Sequence, residues 1–213
     1  LRKHGFTGDI LPVHPRETEV LGERAYPSVA DIPGPVDLAY ILLNTRQVEG
    51  AVEAVAAKGI PAACVLADGF AEAGPEGAAL QARLAAAGLS LLGPNSMGVV
   101  NLNARIACSV NAALEADGLP AGRLALVSQS GSMMGALMSR GAARGAGFSH
   151  LVGTGNEADL SAAEVAALLV DDPRVDAILL FLEAIRRPEL FADLAQRAHA
   201  ANKPVVAYKL GRS

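Results

Sequence analysis

Tryptophan is absent from the 213 residues, and aromatic side chains of all kinds make up only 4%. That scarcity removes the stacking platforms on which single-stranded nucleic acids are held. Basic blocks are missing too: 18 Lys and Arg against 22 Asp and Glu leave a net charge of −4, the wrong sign for a nucleic-acid partner. No apolar run approaches the roughly 18 residues of a membrane span, and no signal peptide opens the chain. A cytoplasmic protein without a membrane partner is the expectation. Cys64 and Cys108 lack motif spacing and read as reduced core cysteines. His4, His14, His150 and His199 stand at no metal-ligand spacing to one another, so no metal site is expected.

What the chain does have is 51% hydrophobic residues in a regular alternation. Segments 9–13, 37–42, 62–66 and 89–92 read as buried strands of a parallel sheet. Segments 47–58 and 75–87 between them carry apolar residues at helical spacing, with Gly59 and Gly88 as stops. A less regular stretch, 101–122, ends in "ADGLPAG" and reads as a linker. A second alternation then places strands at 123–127, 148–152, 177–182 and 204–208, and helices at 132–144, 161–170 and 188–201. Ser161 and Glu164 predict a capping box on the middle helix. The pattern implies an α/β chain of two consecutive doubly wound parallel-sheet domains, 1–120 and 121–213.

Both ends read as cut. "LRKHG" looks like the last turn of a helix with Gly5 as its stop, so a first, central strand and its phosphate-binding turn are expected upstream. At the other end, "VVAYKLGRS" stops just past a strand, where a functional loop is expected.

In open α/β sheets ligands sit beyond the carboxyl ends of the strands. Four loops there draw notice: 93–98 (GPNSMG), 128–131 (SQSG), 153–159 (GTGNEAD) and the single acid Glu183 after "AILLFL". A nucleophile elbow needs G-x-S-x-G. Centred on Ser130 the glycine positions hold Ser128 and Ser132, and centred on Ser128 they hold Leu126 and Ser130, so the pattern fails both ways. An anion at the helix N-terminus fits better, with Gly131 permitting close backbone approach and serine hydroxyls donating. Ser130 acting only as an N-cap explains the same residues equally well. Glu183 has two readings as well, a ligand-edge acid or a surface partner of Arg186 or Arg187. Taken singly, Asn95, Asn156 and Asp159 read as turn and cap residues.

The ordered set of segments resembles the NDP-forming acyl-CoA synthetases, relatives of the succinyl-CoA synthetase α subunit. It comprises "GPNSMGVVNL" (93–102), "VSQSGSM" (127–133), "GTGNEADLS" (153–161), "LLFLEAI" (179–185) and "KPVVAYKLGRS" (203–213), with "ILPVHPRETEVLGERAYPSVADIP" (10–33) and "DGFAEAG" (68–74) before them. The resemblance implies a CoA-binding Rossmann-like domain followed by a flavodoxin-like ligase domain. It implies an acid–thiol ligase: acid, CoA and NTP interconvert with acyl-CoA, NDP and phosphate through a phosphohistidine. Arg16, Asn44, Thr45, Arg46, Asp68, Gly69 and Phe70 are then CoA-contacting positions. Asn95, Ser96, Ser128, Ser130, Gly131 and Asn156 surround the phosphohistidine loop, and Glu183 is the catalytic acid that orients the histidine ring.

Departures from the family's pattern set limits. Ser96 stands where relatives often have cysteine, so no thiol role transfers. The phosphorylated histidine lies in an "SHTG"-like loop after the segment matching "KLGRS", so none of the four histidines here takes that role. The resemblance further implies an ATP-grasp domain or subunit carrying ATP or another NTP with magnesium, a small carboxylic acid substrate, and an oligomer. A non-catalytic CoA- or nucleotide-sensing module of a regulatory protein is the alternative. An NAD-dependent dehydrogenase is a third reading that has only fold analogy behind it.

Overall fold

The computed structural model describes residues 1–116 and 118–211; Asp117 of the expected linker, and Arg212 and Ser213 of the 203–213 segment, lie outside the described residues. A 3-10 turn at Arg2–His4 ends at Gly5 in the left-handed region (φ 80°), the stop read from the sequence. A short antiparallel pair follows, β1 (Glu19–Val20) with β2 (Glu23–Arg24). Parallel strands β3 (Ala39–Ile41), β4 (Ala62–Val65) and β5 (Ser90–Leu92) then form a three-stranded sheet. They are joined by α1 (Thr45–Ala57) and α2 (Pro75–Ala85). The strand expected at 9–13 is not formed: only Val13 makes a bridge, to Tyr26. An apolar pattern becomes a strand only where a neighbour completes its backbone hydrogen bonds, and no described strand runs beside this one.

The stretch expected to be a linker is instead structured. β6 (Gly98–Asn101) and β7 (Ile106–Ser109) form an antiparallel hairpin, turning through Arg105 at φ 58°. β6 also pairs antiparallel with β9 (Phe148–Gly153), which ties the hairpin to the second sheet. That sheet has six strands, in the order β11 (Val205–Lys209), β10 (Ala177–Leu182), β8 (Ala121–Ser128), β9, β6 and β7. Its parallel part consists of β8, β9, β10 and β11. Helices α3 (Gly131–Ala142), α4 (Ala162–Val170) and α5 (Pro188–Ala200) connect them. Among the described residues no helix is long and apolar enough to cross a membrane.

Strand alternation explains the layering. On β8, Leu126 faces the side of α3 with Met134, Met138, Phe148 and Leu151, while Ala125 and Val127 face the side of α4 and α5. Cys64 and Leu92 of the first sheet join that second cluster beside Val127, Val152 and Ala162, so the two units share one core. The opposite face of the first sheet packs Ala63, Val65 and Leu91 against Val48, Val52 and Val55, three residues spaced along one face of α1. The capping box of α4 is present, with Ser161 and Glu164 each accepting from the other's backbone N–H.

Candidate functional site

The carboxyl edges of the two sheets meet where the loop after β5 touches the loop after β9. Ala158 N–H donates to the Gly93 carbonyl and Asn156 N–H to the Pro94 carbonyl, each at 2.9 Å. Ser96, 4% exposed, donates through Oγ to the Gly153 carbonyl at 2.5 Å and accepts from Gly98 N–H at 2.9 Å. Ser96 therefore staples the two loops together, using its hydroxyl within the protein. Gly155 lies so close that a Cβ there would stand 2.3 Å from the Pro94 carbonyl oxygen. Asp159 reaches back to the first sheet and accepts from Leu91 N–H at 2.8 Å. Asn156 donates to Glu72 and to Gln81 Oε1, both in the unit of the first sheet, and accepts from exposed Asn95 at 3.4 Å.

The loop after β8 resolves part of the ambiguity over its serines. Ser128 is fully buried; its hydroxyl donates to the Ser130 carbonyl at 2.7 Å and accepts from Ser130 N–H at 3.2 Å. It shapes the turn, and a hydroxyl engaged this way is not presented to a ligand. Ser130 occupies the N-cap position of α3, yet its side chain makes no capping hydrogen bond. Its hydroxyl stands 3.2 Å from that of exposed Ser132. Among the described residues the first-turn N–H groups at the positive end of the helix dipole have no side-chain acceptor. The sequence reading has Gly131 admit a ligand at its α-carbon, but the Met97 side chain fills that space, 2.8 Å from where a Cβ would stand. What Gly131 offers is its place in the helix's first turn.

Glu183 is exposed at the end of β10, and no described residue donates to its carboxylate. The surface-pair reading fails, because Arg186 reaches Glu157 at 3.3 Å and Arg187 reaches Glu164 at 2.5 Å. Sequence reasoning passed over Glu157 and Gln129. Glu157 has a left-handed backbone (φ 57°) and a side chain only 5% exposed. Its Oε1 accepts from Gln129 Nε2 (2.8 Å), Thr154 Oγ1 (3.1 Å) and Ala162 N–H (2.9 Å). A glutamate in a polar loop reads as solvated, and the sequence carried no signal that three donors would converge on it.

Of the positions expected to contact CoA, Asn44, Thr45, Arg46, Asp68 and Gly69 lie together at the carboxyl edge of the first sheet, while Arg16 lies before β1, its backbone N–H turned to His14 Nδ1. Asn44 precedes α1 and donates to Gln47 at 2.5 Å, while Thr45 Oγ1 donates to the Asp68 carbonyl at 2.7 Å. That bond joins the loop after β3 to the loop after β4. Gly69 takes φ 85°, a left-handed backbone that side chains rarely adopt, and a Cβ there would stand 3.2 Å from Thr45 Oγ1. Glu72 accepts from Gly69 and Phe70 N–H at 2.6 and 3.2 Å. Partial burial pushes the Glu72 carboxyl up, but bonds from Asn156 and these N–H groups outweigh it and carry the carboxyl below its ordinary range. The Phe70 ring is fully buried in the first sheet's core, so its side chain anchors the loop and only its backbone is left to face a ligand. Arg16 and Arg46 are exposed, and among the described residues neither guanidinium has a carboxylate partner. Exposed cations, a glycine with a bare backbone and exposed Asn44 fit a phosphate-bearing, extended ligand such as CoA. Among the described residues no cluster of His, Cys, Asp or Glu could hold a metal ion.

Known families and solved structures resemble the chain along its length. A family model described as CoA binding domain matches residues 1–101, and one described as succinyl-CoA ligase like flavodoxin domain matches residues 121–213. The ADP-forming acetate–CoA ligase I of Archaeoglobus fulgidus is 36% identical over 212 residues, which cover 98% of this chain and 30% of that protein. The alpha subunit of the ADP-forming acetate–CoA ligase I of Pyrococcus furiosus is 34% identical, with 100% of this chain and 47% of the subunit covered. Dinucleotide-forming acetyl-coenzyme A synthetase 1 of Ca. Korarchaeum cryptofilum, solved in the apo form, superposes with a TM-score of 0.92 at 32% identity, covering 100% of this chain and 46% of that one. The same synthetase solved with phosphate and ADP gives the same agreement. This chain spans 30% of the ligase and 47% of the subunit. It carries the CoA-binding and ligase-type flavodoxin domains of the ADP-forming acyl-CoA synthetases and, end to end, matches their alpha-subunit part.

Proposed function

We propose that this chain is the CoA-binding and phosphoryl-handling part of an NDP-forming acyl-CoA synthetase. The reaction is acid + CoA + NTP giving acyl-CoA + NDP + phosphate, through a phosphohistidine outside residues 1–213. The observation that carries the reading is the meeting of two carboxyl edges. One edge exposes Asn44, Arg46, Asp68 and Gly69 around half-buried Thr45, and the other holds the start of α3 and the Glu183 carboxylate, neither with a side-chain partner among the described residues. CoA, when bound, supplies the thiol that takes the acyl group. Arg16 and Arg46 would hold its phosphates, and Asn44, Thr45, Asp68 and Gly69 would line its path. Ser130 and the first turn of α3 would hold the phosphoryl group, with Asn95 and Asn156 beside it. Ser96 and Ser128 keep these loops in place.

In this reading Glu183 bonds one ring nitrogen of the histidine and leaves the other nucleophilic. An ATP-grasp partner carries the magnesium-bound nucleotide, the substrate is a small carboxylic acid, and the enzyme works in the cytoplasm as an oligomer. The test is incubation of the complete synthetase with nucleotide labelled on its terminal phosphate. Acid-labile label on histidine, discharged by CoA plus acid, supports the reading. Binding of CoA without any such label points to a sensing module and overturns it.

A further inference from the structure

We propose that Gln129 is a positioning residue that aims Glu183, and that the buried carboxylate of Glu157 fixes which way the Gln129 amide points; this rests on the ligase reading of Glu183. Gln129 is 7% exposed in the loop after β8, and its backbone N–H donates to the Phe181 carbonyl at 3.0 Å. Its side chain continues where β10 stops. Oε1 accepts from the N–H groups of Glu183 (2.6 Å) and Ala184 (2.9 Å), and Nε2 donates to the Ala184 carbonyl at 2.9 Å. The amide thus meets both backbone groups of Ala184, as a neighbouring strand would, and carries the ladder past Leu182. The second hydrogen on Nε2 goes to Glu157 Oε1 at 2.8 Å, which fills both donors and both lone pairs of the amide.

The two ends of a glutamine amide have nearly the same shape, so its partners decide its orientation. Turned over, Gln129 would set its oxygen against the Glu157 carboxylate and its NH2 against two N–H donors. The carboxylate at 157 adds its charge to the two backbone N–H groups in opposing that state. Glu157 is itself fixed from three sides, by Thr154, by Ala162 N–H and by Arg186. The chain of contacts therefore runs from Arg186 through Glu157 and Gln129 to the peptide that bears Glu183. No described side chain holds the Glu183 carboxylate, so its aim comes from that peptide.

Two variants test the clamp. Gln129→Met keeps the length and removes every side-chain bond; Glu157→Gln keeps the shape and one acceptor for Gln129, Thr154 and Ala162, and removes the charge together with the acceptor that faces Arg186. In the 213-residue chain, hydrogen exchange at the Glu183 and Ala184 amides is expected to rise in both. In the complete synthetase, histidine phosphorylation at saturating nucleotide falls about tenfold or more, as for misplaced reacting groups, while CoA Kd and nucleotide KM stay within about twofold. Faster amide exchange with an unchanged phosphorylation rate overturns the aiming role. Unchanged exchange in Glu157→Gln overturns the orienting role of the carboxylate. Parallel losses in Kd and KM mean general damage and overturn both. A wild-type enzyme that forms no phosphohistidine overturns the ligase reading itself, and the control shows this before any variant is compared.

Discussion

Gly155→Ala strikes the contact on which the joined site depends. Gly155 has φ 57°, and holding an L-residue in the left-handed region costs about 1–2 kcal/mol. A Cβ there would also stand 2.3 Å from the Pro94 carbonyl oxygen and 2.4 Å from that of Asn95. Both are backbone atoms, so no flexible side chain can move aside, and overpacking of this kind costs a further ~1–3 kcal/mol. The expected loss is about 2–5 kcal/mol. Gly145→Ala is the matched control, because Gly145 has φ 73° with nothing within 4 Å of a Cβ. It should lose only the conformational part, about 1–2 kcal/mol. In thermal unfolding of a chain this size each kcal/mol is worth about 2–4 °C. Gly155→Ala should therefore fall well below Gly145→Ala in Tm. Equal losses in the two variants would refute the close approach of the loops after β5 and β9.

Other expectations follow from single groups. Ser161→Ala removes half of a capping box and should cost about 0.5–2 kcal/mol in urea unfolding. His150 is 8% exposed, with Asn101 Nδ2 at 2.7 Å and Asp172 at 3.7 Å. Burial lowers its pKa, although Asp172 pulls upward. The unfolded chain then binds the proton more readily, so this stability is present above about pH 6.5 and is lost as pH falls from there through the folded value. His150→Gln should flatten that limb of the stability–pH curve. Burial pushes the Cys64 thiol up to about 11. A thiol reagent at pH 8 should label Cys64 only after unfolding, and rapid labelling of native protein would contradict its place in the shared core.

The alternation of strand and helix was legible because buried parallel strands are short apolar runs and the helices between them end at glycines such as Gly59. Every strand and helix expected after residue 122 is present, with ends moved by one or two residues. The hairpin β6–β7 was missed although Val99–Val100 and Ile106–Cys108 flank a turn of Asn and Arg. Its partner β9 lies about 50 residues on, and no local pattern announces an antiparallel edge on a parallel sheet. The stretch 9–13 erred the other way, its apolar pattern finding among the described residues only the single bridge from Val13 to Tyr26. At the site, the loops could be placed from the sequence because they follow strands. The division of labour within them could not. Which serine is buried, which glutamate collects donors and which glycine touches Met97 depend on contacts between loops far apart in the chain.

The claim that two carboxyl edges form one site is tested most directly by titrating the isotope-labelled chain with CoA and then with inorganic phosphate, following backbone amide resonances. CoA should shift Arg46, Thr45 and Gly69 first, and phosphate should shift Ser130, Gly131 and Ser132 at the start of α3. With both present, Asn156, which bonds to Glu72 across the two units, should respond to each ligand. CoA shifts confined to residues far from the carboxyl edge of the first sheet, or phosphate shifts absent from α3, would contradict the site.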